Sequence, residues 1–309
     1  MSSSPFVGLV GLGFIGASIA ERLCATGEPP LVHDLVPERV AAAERSGARP
    51  AASTAELGAD SDVALVCVQT DEQCLAVVTG PEGLLAHARP GAVVVVLSTI
   101  SGATVAALGE AALAAGVDLL EAPMAGRGAA SVADASMFVL VGGDDAARER
   151  ARPALERFAR VLATGELGSG AALKLAHNVM VYVTRLGTLE AVELARAAGV
   201  ADGLLAELTR ETGALSDQSD VWLAIHEARH RGETDATLDA NMLVAADLLE
   251  KDLRHALALG AERGVVLPAT AVAATAAERI YRVRAFADPP PSGSTSRAPS
   301  RRWPSGRAS

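Results

Sequence analysis

Lys174 and Asn178 lie four residues apart in the stretch Gly168 to Asn178, GSGAALKLAHN. On a helix that spacing places both side chains on one face, one turn apart, so they can touch one small molecule together. The ammonium can give or take a proton while the amide holds a polar group in place. Their neighbours Leu173, Leu175, Ala176, Val179 and Met180 are apolar. Neither polar residue reads as core, so the pair is expected at a rim or in a polar pocket; the bland alternative is a surface lysine with its stem along apolar surface.

The helix carrying this pair runs in pattern to about Ala198 and is closed by Gly199, far longer than the usual three turns. Such a helix bridges domains or joins an oligomer core. Upstream, Phe6 to Val10 reads as a strand, followed by Gly11-Leu-Gly13-Phe14-Ile15-Gly16 and a helical pattern from Ala17 to Thr26. In a strand, glycine turn and helix of this kind, Gly11 permits the tight turn and Gly13 lets the backbone approach a pyrophosphate. Gly16 lets the helix pack closely, with its N-terminus facing the phosphates.

A second strand, Leu31 to Asp34, ends in an acid about 20 positions beyond the glycines, where the group holding the adenosine ribose hydroxyls is expected. Asp34 favours NAD and makes NADP the poorer fit, because its carboxylate would repel a 2′-phosphate and the nearest arginine is Arg39. The alternative is that Asp34 only caps the helix beginning near Pro37.

Val63 to Val68, Ala92 to Leu97, Asp118 to Glu121 and Met137 to Val141 read as further strands with helices between them. Near-continuous Val and Leu runs suit strands covered on both faces. The predicted class is α/β: a Rossmann-type, doubly wound, mostly parallel sheet, followed by an all-helical C-terminal domain joined by the long helix. Ligands in such sheets bind at the carboxyl ends of the strands, which places Val68, Gln69 and Thr70, Ser98 and Thr99, and Ala122 to Gly128 beside the cofactor.

From Asp202 to Arg284 only helical patterns occur: near Gly203 to Thr212, near Leu243 to Gly264 and from Ala269 to Arg284, with a polar stretch from Arg229 to Thr237. The divisions predicted are 1–165 for the dinucleotide, 166–198 for the long helix, 199–284 for substrate and assembly, and 285–309, rich in Pro, Ser and Arg, as a disordered tail.

Half of the 309 residues are hydrophobic and 21% are charged, so the chain is globular. A net charge of -10 argues against a nucleic acid or an anionic membrane surface as partner. No apolar run reaches the length of a spanning helix, and Cys24, Cys67 and Cys74 show no framework spacing. A soluble cytoplasmic protein is expected. The stripe Met180, Val183, Leu186, Leu189, Val192 and Leu194 supplies more apolar surface than a small helical domain covers, which predicts a homodimer or homotetramer.

His226-Glu227-Ala-Arg-His230 fits the HExxH pattern of a zinc helix, with Glu250 as a conceivable third ligand. Five residues with two free positions recur by chance, Gly232 breaks the helix just after, and a zinc site leaves a complete cofactor pattern without purpose. No metal is assigned.

Four stretches together carry a resemblance: GLGFIGASIA at Gly11 to Ala20, EAPMAGRGAA at Glu121 to Ala130, GSGAALKLAHN, and LEKDLRHALALG at Leu249 to Gly260. In order and spacing the chain resembles the β-hydroxyacid dehydrogenases, the group that includes 3-hydroxyisobutyrate dehydrogenase and is related to 6-phosphogluconate dehydrogenase. The resemblance implies Lys174 as catalytic acid and base, Asn178 as a substrate holder, Thr99 near the nicotinamide and Lys251 closing over the cofactor. Gly11, Gly13, Phe14, Ile15, Gly16, Asp34, Val68 and Gln69 complete the cofactor set, and Ser98, Met124, Ala125, Gly126 and Arg127 form the substrate set.

The substrate loop departs from the family's Asp-Ala-Pro-Val-Ser-Gly-Gly: Glu121 leads it, Ala125 replaces the serine and Arg127 replaces the last glycine. The planar guanidinium of Arg127 suits a carboxylate or sulfonate, so a small anionic substrate is expected; alternatively Arg127 points to solvent. Two other functions are considered. Imine reductases are similar overall but usually place another residue at the position of Lys174. A dinucleotide-binding regulator without turnover would fit the altered loop, though it would not need both Lys174 and Asn178.

Overall fold

The computed structural model describes residues 5–214, 216–233 and 235–281. Six parallel strands form its centre: β1 (Val7–Val10), β2 (Leu31–His33), β3 (Arg49–Pro50), β4 (Val63–Val66), β5 (Val93–Val96) and β6 (Asp118–Glu121), in the order β3-β2-β1-β4-β5-β6. The connections reverse direction between β1 and β4, which opens a crevice at the carboxyl ends of those strands.

Three more strands extend one edge: β7 (Met124–Ala125), β8 (Phe138–Gly142) and β9 (Arg160–Gly165). β8 turns back antiparallel and pairs with both β6 and β7, while β9 lies parallel to β8 on its other side. β6 and β7 follow one line, since the Leu140 amide reaches the Pro123 carbonyl between them at 3.0 Å.

The connecting helices are α1 (Phe14–Ala25), α2 (Pro37–Arg45), α3 (Thr54–Asp60), α4 (Asp71–Thr79), α5 (Leu84–His87), α6 (Gly102–Ala115), α7 (Ala129–Ala133) and α8 (Asp145–Leu155). They cover both sheet faces. Leu9, Leu65 and Val95 join one apolar cluster with Ile19 and Phe158, whereas Val10, Val66 and Val94 join another with Leu57 and Leu108. Alternate side chains of a strand point to opposite faces, so continuous Val and Leu runs are what two covered faces demand.

The helical half comprises α9 (Ser169–Ala197), α10 (Leu204–Glu211), α11 (Asp217–His230), α12 (Ala236–Glu262), α13 (Pro268–Thr275) and α14 (Ala277–Tyr281). Its core joins Leu186, Leu189, Trp222, Leu249, Leu253 and Ile280.

Several boundaries differ from the sequence reading. β3, β7 and β9 lack a usable apolar run: β3 has two exposed residues at an edge, where a proline is tolerated, and β9 is mostly exposed. The polar stretch near Arg229 to Thr237 holds the end of α11 and the start of α12. The Asp235 side chain caps α12 by accepting from the Leu238 amide at 2.8 Å, a contact worth about 1 kcal/mol. The final helical pattern breaks at Ala276, and residues 282–309, including the Pro, Ser and Arg-rich tail, lie outside the described residues.

The apolar stripe of α9 is also split. Leu186, Leu189 and Val192 are buried within their own helical half, leaving Met180 and Leu194 each 72% exposed. No helix among the described residues is long and apolar enough to cross a membrane.

Candidate active site

The glycine loop after β1 is built by three different demands. Gly11 has φ +95°, and a Cβ there would sit 2.2 Å from the Cys67 carbonyl oxygen. A Cβ on Gly16 would sit 2.0 Å from the Gly11 carbonyl oxygen, so α1 can approach the loop only with glycine at that point. Gly13 faces open space and is the N-cap of α1 with no side-chain cap, which leaves first-turn amides free for an anion. Phe14 projects outward at 68% exposure, and Ile15 packs partly against the core.

Asp34 sits at the end of β2 with both oxygens engaged, accepting from the Leu12 amide at 2.6 Å and the Val36 amide at 2.8 Å, with Arg39 at 3.5 Å. It is not the cap of α2; that position belongs to Val36. A cleft of about 530 Å³ is bordered by Gly11, Gly13, Asp34, Arg39, Val68 and Gln69. Its glycine floor, open helix N-terminus and terminal carboxylate fit a dinucleotide.

Ser98, expected at the substrate, is tied to the neighbouring strand. It is buried, its hydroxyl donates to the Val68 carbonyl at 2.7 Å and accepts the Val68 amide at 3.0 Å, so it clamps the ends of β4 and β5 together. Thr99, next along, is half-buried, and its carbonyl accepts the Lys251 ammonium from α12.

The start of α9 is held from a distance. Gly168 caps it without a side chain, and the buried Glu121 carboxylate supplies the missing acceptor, taking the Gly168 amide at 2.9 Å and the Gly170 amide at 2.7 Å through one oxygen. A carboxylate suits a helix N-terminus. Burial nevertheless pushes the Glu121 pKa up, with the amide hydrogen bonds opposing. Glu121 thereby fixes the helix whose second turn carries Lys174.

Lys174 and Asn178 meet α12 on its buried face. Asn178 is only 3% exposed, contrary to the sequence reading that it lies outside the core. It is tolerated there because its amide donates to the buried Asp252 carboxylate at 2.7 Å. Burial lowers the Lys174 pKa; the Asp252 carboxylate opposes this, and the Lys251 and Arg185 charges reinforce it. Burial likewise raises Asp252, against the pull of Lys251 and Lys174. Lys251 Nζ stands 3.4 Å from Asp252 Oδ1, so one α12 residue pair reaches both halves of the molecule.

A second link lies one turn further along α12, where His255 Nε2 stands 3.9 Å from Asp71 Oδ1. Burial alone would raise Asp71, but hydrogen bonds from Ser101 and Thr104 overcome it and hold the carboxyl below its ordinary value. Burial lowers His255 despite Asp71.

The substrate-loop residues Met124 and Ala125 form β7, both half-buried, and Gly126 is exposed beyond them. Arg127 donates its amide to the Ser131 hydroxyl at 2.9 Å, and Gly128 turns at φ +71° to start α7, against the Phe14 ring. The Arg127 side chain is 61% exposed and 3.8 Å from Asp134. It also borders a cavity of about 280 Å³ that continues to Arg185, Trp222, Met242 and Tyr281.

The HExxH residues diverge. His226 is buried against Trp222, His230 is exposed at the helix end, Glu227 pairs with Arg196 at 3.0 Å, and Glu250 pairs with Arg254 at 2.6 Å.

Asp252, Glu121 and Arg185 went unassigned in the sequence. Asp252 adjoins Lys251, and Arg185 lies eleven residues beyond Lys174, close to three full turns of helix; that spacing was the available signal.

A dinucleotide-binding sheet joined by a long helix to a helical half, with a half-buried lysine at the seam, defines a nicotinamide-dependent oxidoreductase. A family profile described as the NAD binding domain of 6-phosphogluconate dehydrogenase matches residues 6–184, and one described as NAD-binding of NADP-dependent 3-hydroxyisobutyrate dehydrogenase matches residues 168–285. The chain belongs to the β-hydroxyacid dehydrogenase family.

An uncharacterised oxidoreductase of Mycobacterium tuberculosis is 34% identical, over 86% of this chain and 89% of its own length. An NAD-dependent L-serine dehydrogenase of Pseudomonas aeruginosa is 31% identical, over 80% and 82%. The solved structure of M. tuberculosis 3-hydroxyisobutyrate dehydrogenase with L-serine is 26% identical, covers 91% of this chain and 94% of that one, and superposes with a TM-score of 0.74. An imine reductase of Myxococcus stipitatus shares the fold at 20% identity, over 90% of this chain and 94% of its own, with a TM-score of 0.64.

Proposed function

We propose that this NAD-dependent enzyme interconverts a short 3-hydroxy acid and its semialdehyde, with Lys174 as general acid and base. The observation that carries the reading is the half-buried Lys174 on α9, with a pKa lowered first by desolvation and further by Lys251 and Arg185. A lysine so placed releases its proton more readily than a solvated one, which favours proton transfer to and from a hydroxyl.

In oxidation neutral Lys174 takes the hydroxyl proton as a hydride leaves the same carbon; in reduction its ammonium returns the proton to the forming alkoxide. The nicotinamide, when bound, accepts or supplies that hydride. Asn178, anchored through its amide by Asp252 and with its carbonyl oxygen 3.4 Å from His177 Nδ1, keeps its remaining amide hydrogen for the substrate. Gly11, Gly13, Gly16 and the start of α1 would hold the pyrophosphate, Asp34 the ribose, Val68, Gln69 and Thr99 the cleft wall, and Lys251 the closing side. Met124, Ala125 and Gly126 would line the substrate, whose anionic group meets Arg127.

The proposed division is 1–165 for the dinucleotide, 166–198 for the bridging helix and 199–284 for substrate and assembly, with 285–309 as a tail. Exposed Met180 and Leu194 support a homodimer or homotetramer, to be checked by light scattering. Free cysteines, among them Cys67, whose thiol burial pushes up to about 12, support a reducing, cytoplasmic setting.

The test follows nicotinamide absorbance with NADH and NADPH against small semialdehydes, anionic ones included, and one cyclic imine. Turnover of an acidic semialdehyde with NADH supports the reading, and turnover of the imine alone rejects it. An unchanged Michaelis constant in Arg127→Ala removes the role given to Arg127.

A further inference from the structure

Arg185 is the third member of the stripe begun by Lys174 and Asn178, because eleven residues at 100° each return almost to the starting direction. Its side chain is half-buried in an aromatic box: the guanidinium carbon lies 5.5 Å from the Tyr182 ring, 5.8 Å from Tyr281 and 6.0 Å from Trp222. The Tyr281 hydroxyl accepts a hydrogen bond from Nη1, while Nε is buried with no partner among the described residues. No carboxylate among the described residues forms an ion pair with it.

The same guanidinium borders the 280 Å³ cavity that Arg127 borders from the opposite half of the molecule. Between the two lie Trp222, Ile225 and Met242, an apolar wall. Lys174 and Lys251 thus act on one buried carboxylate, Asp252, while Arg185 acts on Lys174, and a further cation, Arg127, stands at the cavity edge. A surplus of desolvated positive charge is relieved by an anion, and arginine held flat among rings presents its fork in one orientation, at little entropic cost, to a carboxylate or sulfonate.

We infer that Arg185, together with Arg127, forms an anion subsite at the far end of the substrate cavity, which selects hydroxy acids whose chain ends in a second anionic group. The inference rests on Lys174 as the reacting centre only for its catalytic consequence. Along α9, about 16 Å separates the Cα atoms of Lys174 and Arg185. Both side chains lean toward the helix N-terminus, so the substrate must span several bonds between its hydroxyl carbon and its distal anion. Short monoanions leave the Arg185 side of the subsite unfilled.

The test has two arms. In the first, calorimetry on the NAD-loaded protein compares unreactive probes, glutarate and pimelate against pentanoate and heptanoate. The dianions are expected to bind at least about tenfold more tightly than monoanions of equal length. Arg185→Met should remove that ratio, Arg185→Lys should restore part of it, and Tyr281→Phe should keep most of it. Because the readout is a ratio within one protein, a general loss of packing does not imitate it. An equal ratio in wild type and Arg185→Met overturns the inference.

In the second arm, hydroxy acids with neutral and acidic chain ends are compared as substrates. The subsite predicts that Arg185→Met raises the Michaelis constant for the acidic-ended compound by about tenfold with little change in kcat. A change in kcat for both compounds, with KM unaffected, overturns it. Absence of all hydroxy-acid turnover, with Arg185-dependent dianion binding intact, would reject the proposed reaction and leave the subsite standing.

Discussion

The glycine loop after β1 and the seam between α9 and α12 both prepare the protein for charged ligands, by opposite means. The loop uses backbone: a turn with positive φ, a helix start without a side-chain cap, and one glycine with no atom within 4 Å of its missing Cβ. The seam uses ionisable side chains largely removed from water, where Lys251 and Asp252 act on Lys174, and Lys174 and Lys251 act on Asp252. Backbone amides hold an anion at any pH. Buried side chains hold protons in reserve, which binding alone does not need and proton transfer does.

That contrast is broken or sharpened most strongly at Lys174. Lys174→Met is expected to lower kcat by about a hundred- to ten-thousand-fold, with NADH affinity retained, in steady-state and fluorescence titrations. A loss below about tenfold would strip the seam of its chemical role. At the loop, Gly16→Ala drives a Cβ into backbone and should cost about 3 kcal/mol, read as a lower thermal midpoint. Gly13→Ala meets no protein atom, so it should weaken dinucleotide binding while leaving the midpoint within about a degree. If the two glycines behave alike, the loop is not divided into a packing part and a binding part.

A subtler distinction comes from Asp252→Asn. The Asp252 charge raises the Lys174 pKa against burial, so removing it should move Lys174 further down. The ionisation in the pH profile of oxidation, where neutral lysine is required, should then shift to lower pH. A shift to higher pH contradicts the coupling between α9 and α12.

The smallest effect concerns His255. Its folded-state pKa is depressed, so the unfolded chain binds its proton more readily. The associated stability is complete above the ordinary imidazole value of about 6.5 and is lost as pH falls through the lowered value. His255→Gln should flatten the dependence of the thermal midpoint on pH in that acidic window, measured by calorimetry.

The loop was legible because its demands are local. Glycines at fixed offsets after a strand, and an acid at the end of the next one, leave a pattern within about thirty residues. The seam was legible only in part. Lys174 and Asn178 announce themselves by helical spacing, but the Asn178 to Asp252 contact spans 74 residues, and nothing in the local sequence places a carboxylate against that amide. Ser98 is a similar case: a serine at the end of a strand reads as a ligand, and only the fold shows the Val68 backbone engaging its hydroxyl.

What the sequence determined by itself is the sheet of covered strands, the dinucleotide turn, the long helix and the lysine it carries, since periodicity and residue type act over short range. Tertiary structure decided the downward pull on the pKa of that lysine, the support of the α9 start by Glu121, the burial of Asn178 and the convergence of Arg185 with Arg127. Each of these depends on how much water is excluded and which distant charge stands nearby, and both are fixed only once α9 and α12 close against the sheet.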